Sequence, residues 1–380
     1  MGAGRVGDYV MKVVFRCDAS IQIGTGHVMR CLTLADALAE QGAECYFICR
    51  EHEGHLLEII RKRGHQTYSL PLKGDMKATD TDKDSIRLAH ADWLGATQQE
   101  DVKLCIELLQ QVEAEWLIVD HYAIDISWEK ALRPYCKRLM VIDDLADRHH
   151  DSDILLDQTY GRNKEEYFDL TPKNCHILCG TQYALLRPEF VQWRGYSLKR
   201  RHEGKLKHLL INLGGVDKHN ITTQILRGLQ KSSLPECCKI TVIMGSTAPW
   251  IKSVEDQAKS MPWETEVKTA VSNMAELMAN SDLAIGAAGS TSWERCCLGL
   301  PTVMLILADN QQTIASNLEK VNAVYAINIE PDLESVILKA VTYFTKAQEL
   351  LKEMSLNAAY ILDGCGSILV IEKMVDHYEY

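Results

Sequence analysis

Apolar and polar residues along the chain fall into two alternating rhythms. Short, nearly unbroken apolar runs recur: Val13-Val14-Phe15, ECYFIC at 44–49, WLIVD at 116–120, LMVI at 139–142, LLINL at 209–213, KITVIM at 239–244, a run opening at Leu283, and TVMLILA at 302–308. Runs of this length, bounded by Gly, Asp or Asn, read as strands buried on both faces. Between them lie stretches with apolar residues three and four apart, such as Leu32, Ala35, Leu38 and Ala39 within 28–41, and Val102, Cys105, Ile106 and Leu109 within 101–111. These read as helices, and Gly42 stops the first. Further helices are predicted over 54–63, 221–230, 249–260 and 274–280, and further strands over 65–72 and 265–271. A mostly helical tail runs from Pro331, broken at Gly364-Cys365-Gly366. Strands alternating with helices predict parallel sheets.

Open parallel sheets bind ligands at the carboxyl ends of their strands, so the polar residues there are the candidates. The first apolar run ends at Arg16-Cys17-Asp18, and a polar loop leads to Gly24-Thr25-Gly26-His27. Glycines let backbone N–H groups approach a phosphate or sugar, and the following helix start adds partial positive charge. Asp18, Gly24 and Gly26 are therefore candidate substrate contacts. His27 opens the helix, where the dipole favours a neutral ring able to take a proton. A surface histidine at such a turn fits the same spacing. Cys17 and Cys31 flank the turn and read as structural thiols. WLIVD ends in Asp120-His121-Tyr122, and LMVI ends in Asp143-Asp144, a carboxylate pair suited to acid–base work or to capping the next element.

The second half repeats the layout without repeating the sequence. The strand at 209–213 leads to Gly214-Gly215, a polar loop and the helix at 221–230, a turn able to hold a diphosphate. The strand at 283 ends in Gly286-Ala287-Ala288-Gly289, with Ser290 and Thr291 at a helix start and Glu294 one turn in. Two hydroxyls there can cap the helix or bond phosphate. Glu294 can accept from both ribose hydroxyls or close a capping box, and the pattern leaves both open. TVMLILA leads to Asp309-Asn310-Gln311-Gln312, where the amides of Asn310 and Gln311 suit sugar hydroxyl and acetamido groups or a simple cap.

RCDAS-IQIGTGHVMRCLTLA, with the Asp-His-Tyr triplet, DILLDQTYGR and YALLRPEF, resembles the UDP-sugar hydrolases of pseudaminic acid biosynthesis, over about Met11 to Leu300 and more loosely beyond. The resemblance implies a GT-B fold, with two Rossmann-like domains facing each other across a cleft. It implies that His27 is the catalytic base and that Tyr122 contacts substrate. LAIGAAGSTSWERCCLG is similar to the donor site of GT-B glycosyltransferases such as the lipid II-forming enzyme, where a glutamate holds the ribose. Some hydrolases carry Asn before that glutamate; here the position is Trp293.

Composition narrows this further. The 380 residues carry a net charge of −11 and a pI of 5.7, which argues against a nucleic-acid binder. Thirteen cysteines spread through helices and strands suit a reducing cytoplasm. No run reads as a membrane span or signal peptide. GAGRVG at 2–7 fits a dinucleotide fingerprint but follows no strand, so residues 1–10 are read as a disordered extension. The basic stretch RGYSLKRRHEGKLK marks the best boundary, giving a catalytic domain over 11–200, a UDP-binding domain over 205–345, and C-terminal helices over 346–380 able to pack back on the first domain. Asp80-Thr81-Asp82 and His149-His150 with Asp151 and Asp153 have a metal-binding look but lack the placement or spacing for it. The chain is thus expected to be a monomeric, cytoplasmic, metal-independent UDP-sugar hydrolase, inverting at the anomeric carbon. The alternatives are a GT-B glycosyltransferase, an epimerase using carboxylates such as Asp120 and Asp143, and a UDP-sugar-binding regulator without chemistry.

Overall fold

The computed structural model describes residues 10–72, 88–329 and 331–376. The glycine motif at 2–7 and the Asp80/Asp82 pair lie outside the described residues. The described residues separate into two compact units: residues 10–158, 162–179 and 367–376 form one, and residues 159–161 and 180–366 the other.

The first unit runs β1 (Lys12–Cys17), α1 (Gly26–Glu40), β2 (Glu44–Arg50), α2 (Leu57–Lys62), β3 (Gln66–Leu70), α3 (Gln98–Val112), β4 (Trp116–Asp120), α4 (Ile126–Leu132), β5 (Arg138–Ile142), β6 (Ile154–Asp157) and β7 (His176–Cys179). The seven strands are all parallel, in the order β3-β2-β1-β4-β5-β6-β7. Burial on both faces explains the unbroken apolar runs. Val14, Leu117, Val119, Leu139 and Val141 pack beneath Leu108, Leu109 and Trp128 of α3 and α4. The order reverses between β1 and β4, so the crevice at their carboxyl ends is the topological switch point where such sheets bind ligands.

The second unit runs α5 (Pro188–Arg201), β8 (His208–Asn212), α6 (Ile221–Gln230), β9 (Lys239–Met244), α7 (Ile251–Lys259), β10 (Glu264–Thr269), α8 (Met274–Ala279), β11 (Leu283–Ala287), α9 (Thr291–Cys297), β12 (Thr302–Ile306), α10 (Gln312–Lys320), β13 (Tyr325–Asn328), α11 (Leu333–Lys346) and α12 (Gln348–Ile361). Its six parallel strands follow β10-β9-β8-β11-β12-β13, with the reversal between β8 and β11. Leu209 and Ile211 face Ile225, Leu229 and Phe344 on one side, while Leu210 faces Phe190 and Trp293 on the other.

Two expectations need revision. The basic stretch expected to separate the domains is the end of α5, which belongs to the second unit. Its Arg201 is buried, with Nη2 donating to Met278 O at 2.9 Å, Nε to Leu298 O at 3.2 Å, and Nη1 to Ser281 O. The cations cap carbonyls at helix ends rather than solvating a linker. The second revision concerns Gln348–Asp376, which has the length and apolarity of a membrane span, contrary to the reading of the sequence. It comprises α12 and α13 (Gly366–Asp376), which flank residues 362–365, and 56% of its apolar window is buried inside the protein.

Candidate active site

At the switch point of the first sheet, the chain leaves β1 at Asp18 and returns at α1 through a pinned loop. Ser20 N donates to Gly24 O and Gly24 N to Ser20 O, while Ser20 Oγ accepts from the amides of Gln22 and Ile23. Gly24 has φ +84°, a left-handed conformation that glycine adopts without strain. The loop sets His27 at the start of α1, facing the end of β4. His27 Nδ1 lies 2.6 Å from Asp120 Oδ1. Arg30, one turn further along α1, grips the same carboxylate with two donors, Nε to Oδ2 and Nη2 to Oδ1, each at 2.6 Å. Asp120 is fully buried, which works to raise its pKa, but Arg30 and His27 overcome this and hold the carboxyl well below its ordinary range. An ionised carboxylate only accepts, so His27 donates to it from Nδ1, and Nε2 has no protein partner among the described residues.

Tyr122 stands over this pair. Its ring meets His27 edge-on, with centroids 4.6 Å apart, and its hydroxyl donates to Asp144 Oδ1. Arg30 Nη1 reaches the other oxygen of Asp144 at 2.9 Å, so one arginine ties the His27–Asp120 pair to the tyrosine. Trp93 and His90 complete an aromatic wall: Trp93 lies 5.8 Å from the Tyr122 ring and nearly parallel to it, and His90 lies 4.2 Å from Trp93. None of Arg30, His90 and Trp93 was singled out by the sequence reading. Arg30 was findable, since it follows His27 by three residues on the same helix face.

Asp18 lies deeper than the sequence suggested. It is fully buried, accepts from Arg50 N at 2.6 Å, and pairs with Arg16 at 2.8 Å. Arg16 and Arg50 both also bind Asp101. Asp18 therefore secures the end of β1 rather than offering a free carboxylate. His121 turns the same way: Nε2 sits 3.1 Å from Asp18, and Nδ1 accepts from Ala123 N. Its burial holds the imidazole below its ordinary pKa despite Asp18, so the ring is neutral and structural. Asp143 pairs with Arg148 at 2.7 Å and accepts from Ala146 N, which makes it a cap, whereas Asp144 belongs to the site. His150 is spoken for by Glu129 and Asp153 by Arg133. Burial pushes the Cys31 thiol up to about 11, and Cys17 is also raised, in keeping with structural thiols.

In the second unit, Gly214-Gly215 follows β8 as expected, but the start of α6 is already occupied. Asp217 accepts from Ile221 N at 2.8 Å and Thr222 N at 2.9 Å, so those amides are not free to hold a diphosphate. The loop after β11 is built differently. Ser290 makes no cap bond, Gly289 N donates to Ser292 Oγ, and the buried Arg295 reaches back beneath the loop. Its Nη2 donates to Ala287 O at 2.7 Å and its Nη1 to Thr291 Oγ1 at 3.2 Å. Burial pushes the guanidinium down to about 10. Glu294 closes no capping box; it faces Arg187 at 3.6 Å, and its desolvation raises the pKa in spite of that cation. Trp293 is 2% exposed and packs in the core, so this neighbour of Glu294 makes no ligand contact. Gln311 spends its side-chain carbonyl on Leu307 N at 2.9 Å, while Asn310 is exposed.

Residues 209–362 match the model of the glycosyltransferase family 28 C-terminal domain. Over 313 residues, 82% of this chain and 97% of the relative, the chain is 28% identical to the UDP-2,4-diacetamido-2,4,6-trideoxy-beta-L-altropyranose hydrolase of Campylobacter jejuni. Among solved structures it resembles Acinetobacter baumannii MurG, with a TM-score of 0.64 and 15% identity over 96% of this chain and 99% of that one. It also resembles the UDP-GlcNAc 2-epimerase from Neisseria meningitidis bound to UDP-GlcNAc, with a TM-score of 0.63 and 12% identity over 97% of this chain and 100% of that one. The chain thus has a GT-B fold, matches the glycosyltransferase family 28 C-terminal domain over residues 209–362, and is similar over 82% of its length to a UDP-sugar hydrolase.

Proposed function

We propose that the protein is a UDP-sugar-acting enzyme, and that its reaction is hydrolysis of the anomeric C–O bond of a UDP-linked diacetamido-trideoxy sugar, as in pseudaminic acid biosynthesis. The observation that carries this reading is the His27–Asp120 pair at the switch point of the first sheet, 2.6 Å apart, with Nε2 unpartnered among the described residues. It is joined by the similarity to a UDP-sugar hydrolase across nearly the whole of that relative.

UDP is a good leaving group and departs with the bonding electron pair, so the step asks little of a general acid. What it needs is a nucleophile. Water attacks the anomeric carbon from the face opposite UDP, with inversion, and gives its proton to His27 Nε2. Asp120 holds the tautomer and stabilises the imidazolium that forms. General-base help of this kind is worth roughly 10²–10⁴-fold. Tyr122, fixed by Asp144, contacts the sugar. In the second unit, Ser290 and Thr291 hold the diphosphate and Glu294 the ribose, while Asn310 and Gln311 meet polar groups of the sugar; the turn at Gly214-Gly215 takes no part, because Asp217 caps the helix it leads into. The thirteen cysteines suit such an enzyme in a reducing cytoplasm.

The family 28 match favours a second reading, a glycosyltransferase that puts an acceptor hydroxyl where water would sit. Incubation with a panel of UDP-sugars, with no acceptor, separates the two. Hydrolysis gives stoichiometric UDP and free sugar; a transferase gives neither until an acceptor is added; recovery of an isomerised UDP-sugar would point to an epimerase.

A further inference from the structure

Six arginines are buried among the described residues: Arg16, Arg30, Arg50, Arg148, Arg201 and Arg295. A guanidinium taken out of water is costly unless an opposite charge faces it. Arg16 and Arg50 have Asp101, Arg30 has Asp120 and Asp144, and Arg148 has Asp143. Arg201 lacks a paired carboxylate but faces carbonyls at the ends of α8 and α9, where the helix dipole supplies partial negative charge. Arg295 has neither. Its donors meet Ala287 O, Thr291 Oγ1 and Ser292 Oγ, and its Nε has no partner. Room for it is made at Gly286, where any Cβ would come within 2.5 Å of Nη1.

A guanidinium can only donate, so the Thr291 oxygen accepts from Arg295, and its own hydrogen must turn elsewhere. Thr291 is partly exposed, so that hydrogen is open to an acceptor from outside the chain. A neutral acceptor would satisfy the hydroxyl but add nothing to the distant Glu294 as counter-charge for the buried cation. An oxyanion satisfies both.

We infer that Arg295 is a positioning residue that makes the loop between β11 and α9 selective for the diphosphate of the nucleotide, by supplying a buried counter-charge and by forcing Thr291 to donate. This rests on the UDP-sugar reading above and deepens it. Arg295 acts from beneath the loop, without touching the ligand.

Titration calorimetry of the full chain with UDP and with uridine tests it, because uridine keeps base and ribose and lacks the phosphates. In Arg295→Met, the UDP dissociation constant should rise at least about tenfold while that for uridine stays within about twofold. Arg295→Lys, which keeps the charge, should recover part of the loss. Thr291→Val should weaken UDP selectively as well, and it carries the same comparison if Arg295→Met does not fold. Equal weakening of both ligands in Arg295→Met, or unchanged UDP affinity in Thr291→Val, overturns the inference alone. A wild-type protein that binds neither ligand overturns the UDP-sugar reading and this inference with it.

Discussion

His27 and Asp120 are separated by 93 positions in sequence and by 2.6 Å in space, and Arg30 is bound to the same carboxylate through two of its donors. The pair fixes which imidazole nitrogen can accept a proton. Replacing His27 by Asn should lower kcat by at least about 10²-fold while UDP affinity changes by less than about tenfold. Asp120→Asn keeps the shape but can donate to Nδ1, which places the proton on the wrong nitrogen, and should also cost about 10²–10⁴-fold in kcat. Steady-state kinetics beside UDP calorimetry reads both. Near-normal turnover in His27→Asn would move the base elsewhere.

Glu294 faces Arg187 and sits in a partly desolvated position. Glu294→Ala should weaken UDP binding by about 1–3 kcal/mol, the worth of a charged acceptor on hydroxyl donors. Because its pKa is raised, wild-type UDP affinity should begin to fall on acidification at a pH above that of an ordinary glutamate, and this fall should be missing in Glu294→Ala. Calorimetry across a pH series reads the difference; a variant with unchanged UDP affinity but a lower melting temperature would reduce Glu294 to a structural role.

The carboxylates at the first site are already matched with cations, Asp120 and Asp144 by Arg30 and Asp143 by Arg148. A divalent ion would have to compete with an arginine at each. Turnover should therefore persist in excess EDTA. Loss of activity that Mg²⁺ or Mn²⁺ restores would show that at least one of these carboxylates leaves its arginine to bind metal.

Acid should undo the first unit through the same carboxylates. Asp18, Asp101 and Asp120 are held below their ordinary pKa by arginines despite burial, and Asp143 is pushed down to about 2. A depressed carboxylate contributes stability that is fully present above its unfolded pKa of about 3.9 and is lost as pH falls towards the folded value. For Asp143 alone that is roughly 2–3 kcal/mol. Urea midpoints should be flat in this contribution down to about pH 4 and fall steeply below it. Asp143→Asn should be less stable at neutral pH and show a shallower acid slope; a slope equal to that of wild type would mean that Asp143 is not held in this way.

The strands and helices that build both sheets were legible because burial on two faces leaves an unbroken apolar run, as in WLIVD. The short strands β6, β7 and β13 were not, since four residues carry too little pattern to distinguish from a loop. The glycine turn and His27 could be read locally. Their partners could not, because Asp120 and Asp144 become neighbours of Arg30 only when β4 and β5 are laid beside β1. The basic stretch at 194–207 misled for a related reason. Its charge reads as solvent-facing, but Arg201 is buried against carbonyls contributed by residues some 80 to 100 positions further on.

The two strand–glycine–helix turns of the second unit resemble copies of one device, yet the carboxylate of Asp217 has changed one of them. By capping its own helix, it places an anion permanently where a guest anion would otherwise settle, and α6 has become self-sufficient. The loop above Arg295 is the reverse, a seat left incomplete until something arrives. A duplication that kept both seats open would offer two competing registers for one nucleotide. With one sealed by its own side chain, the proposed nucleotide would have a single way to lie.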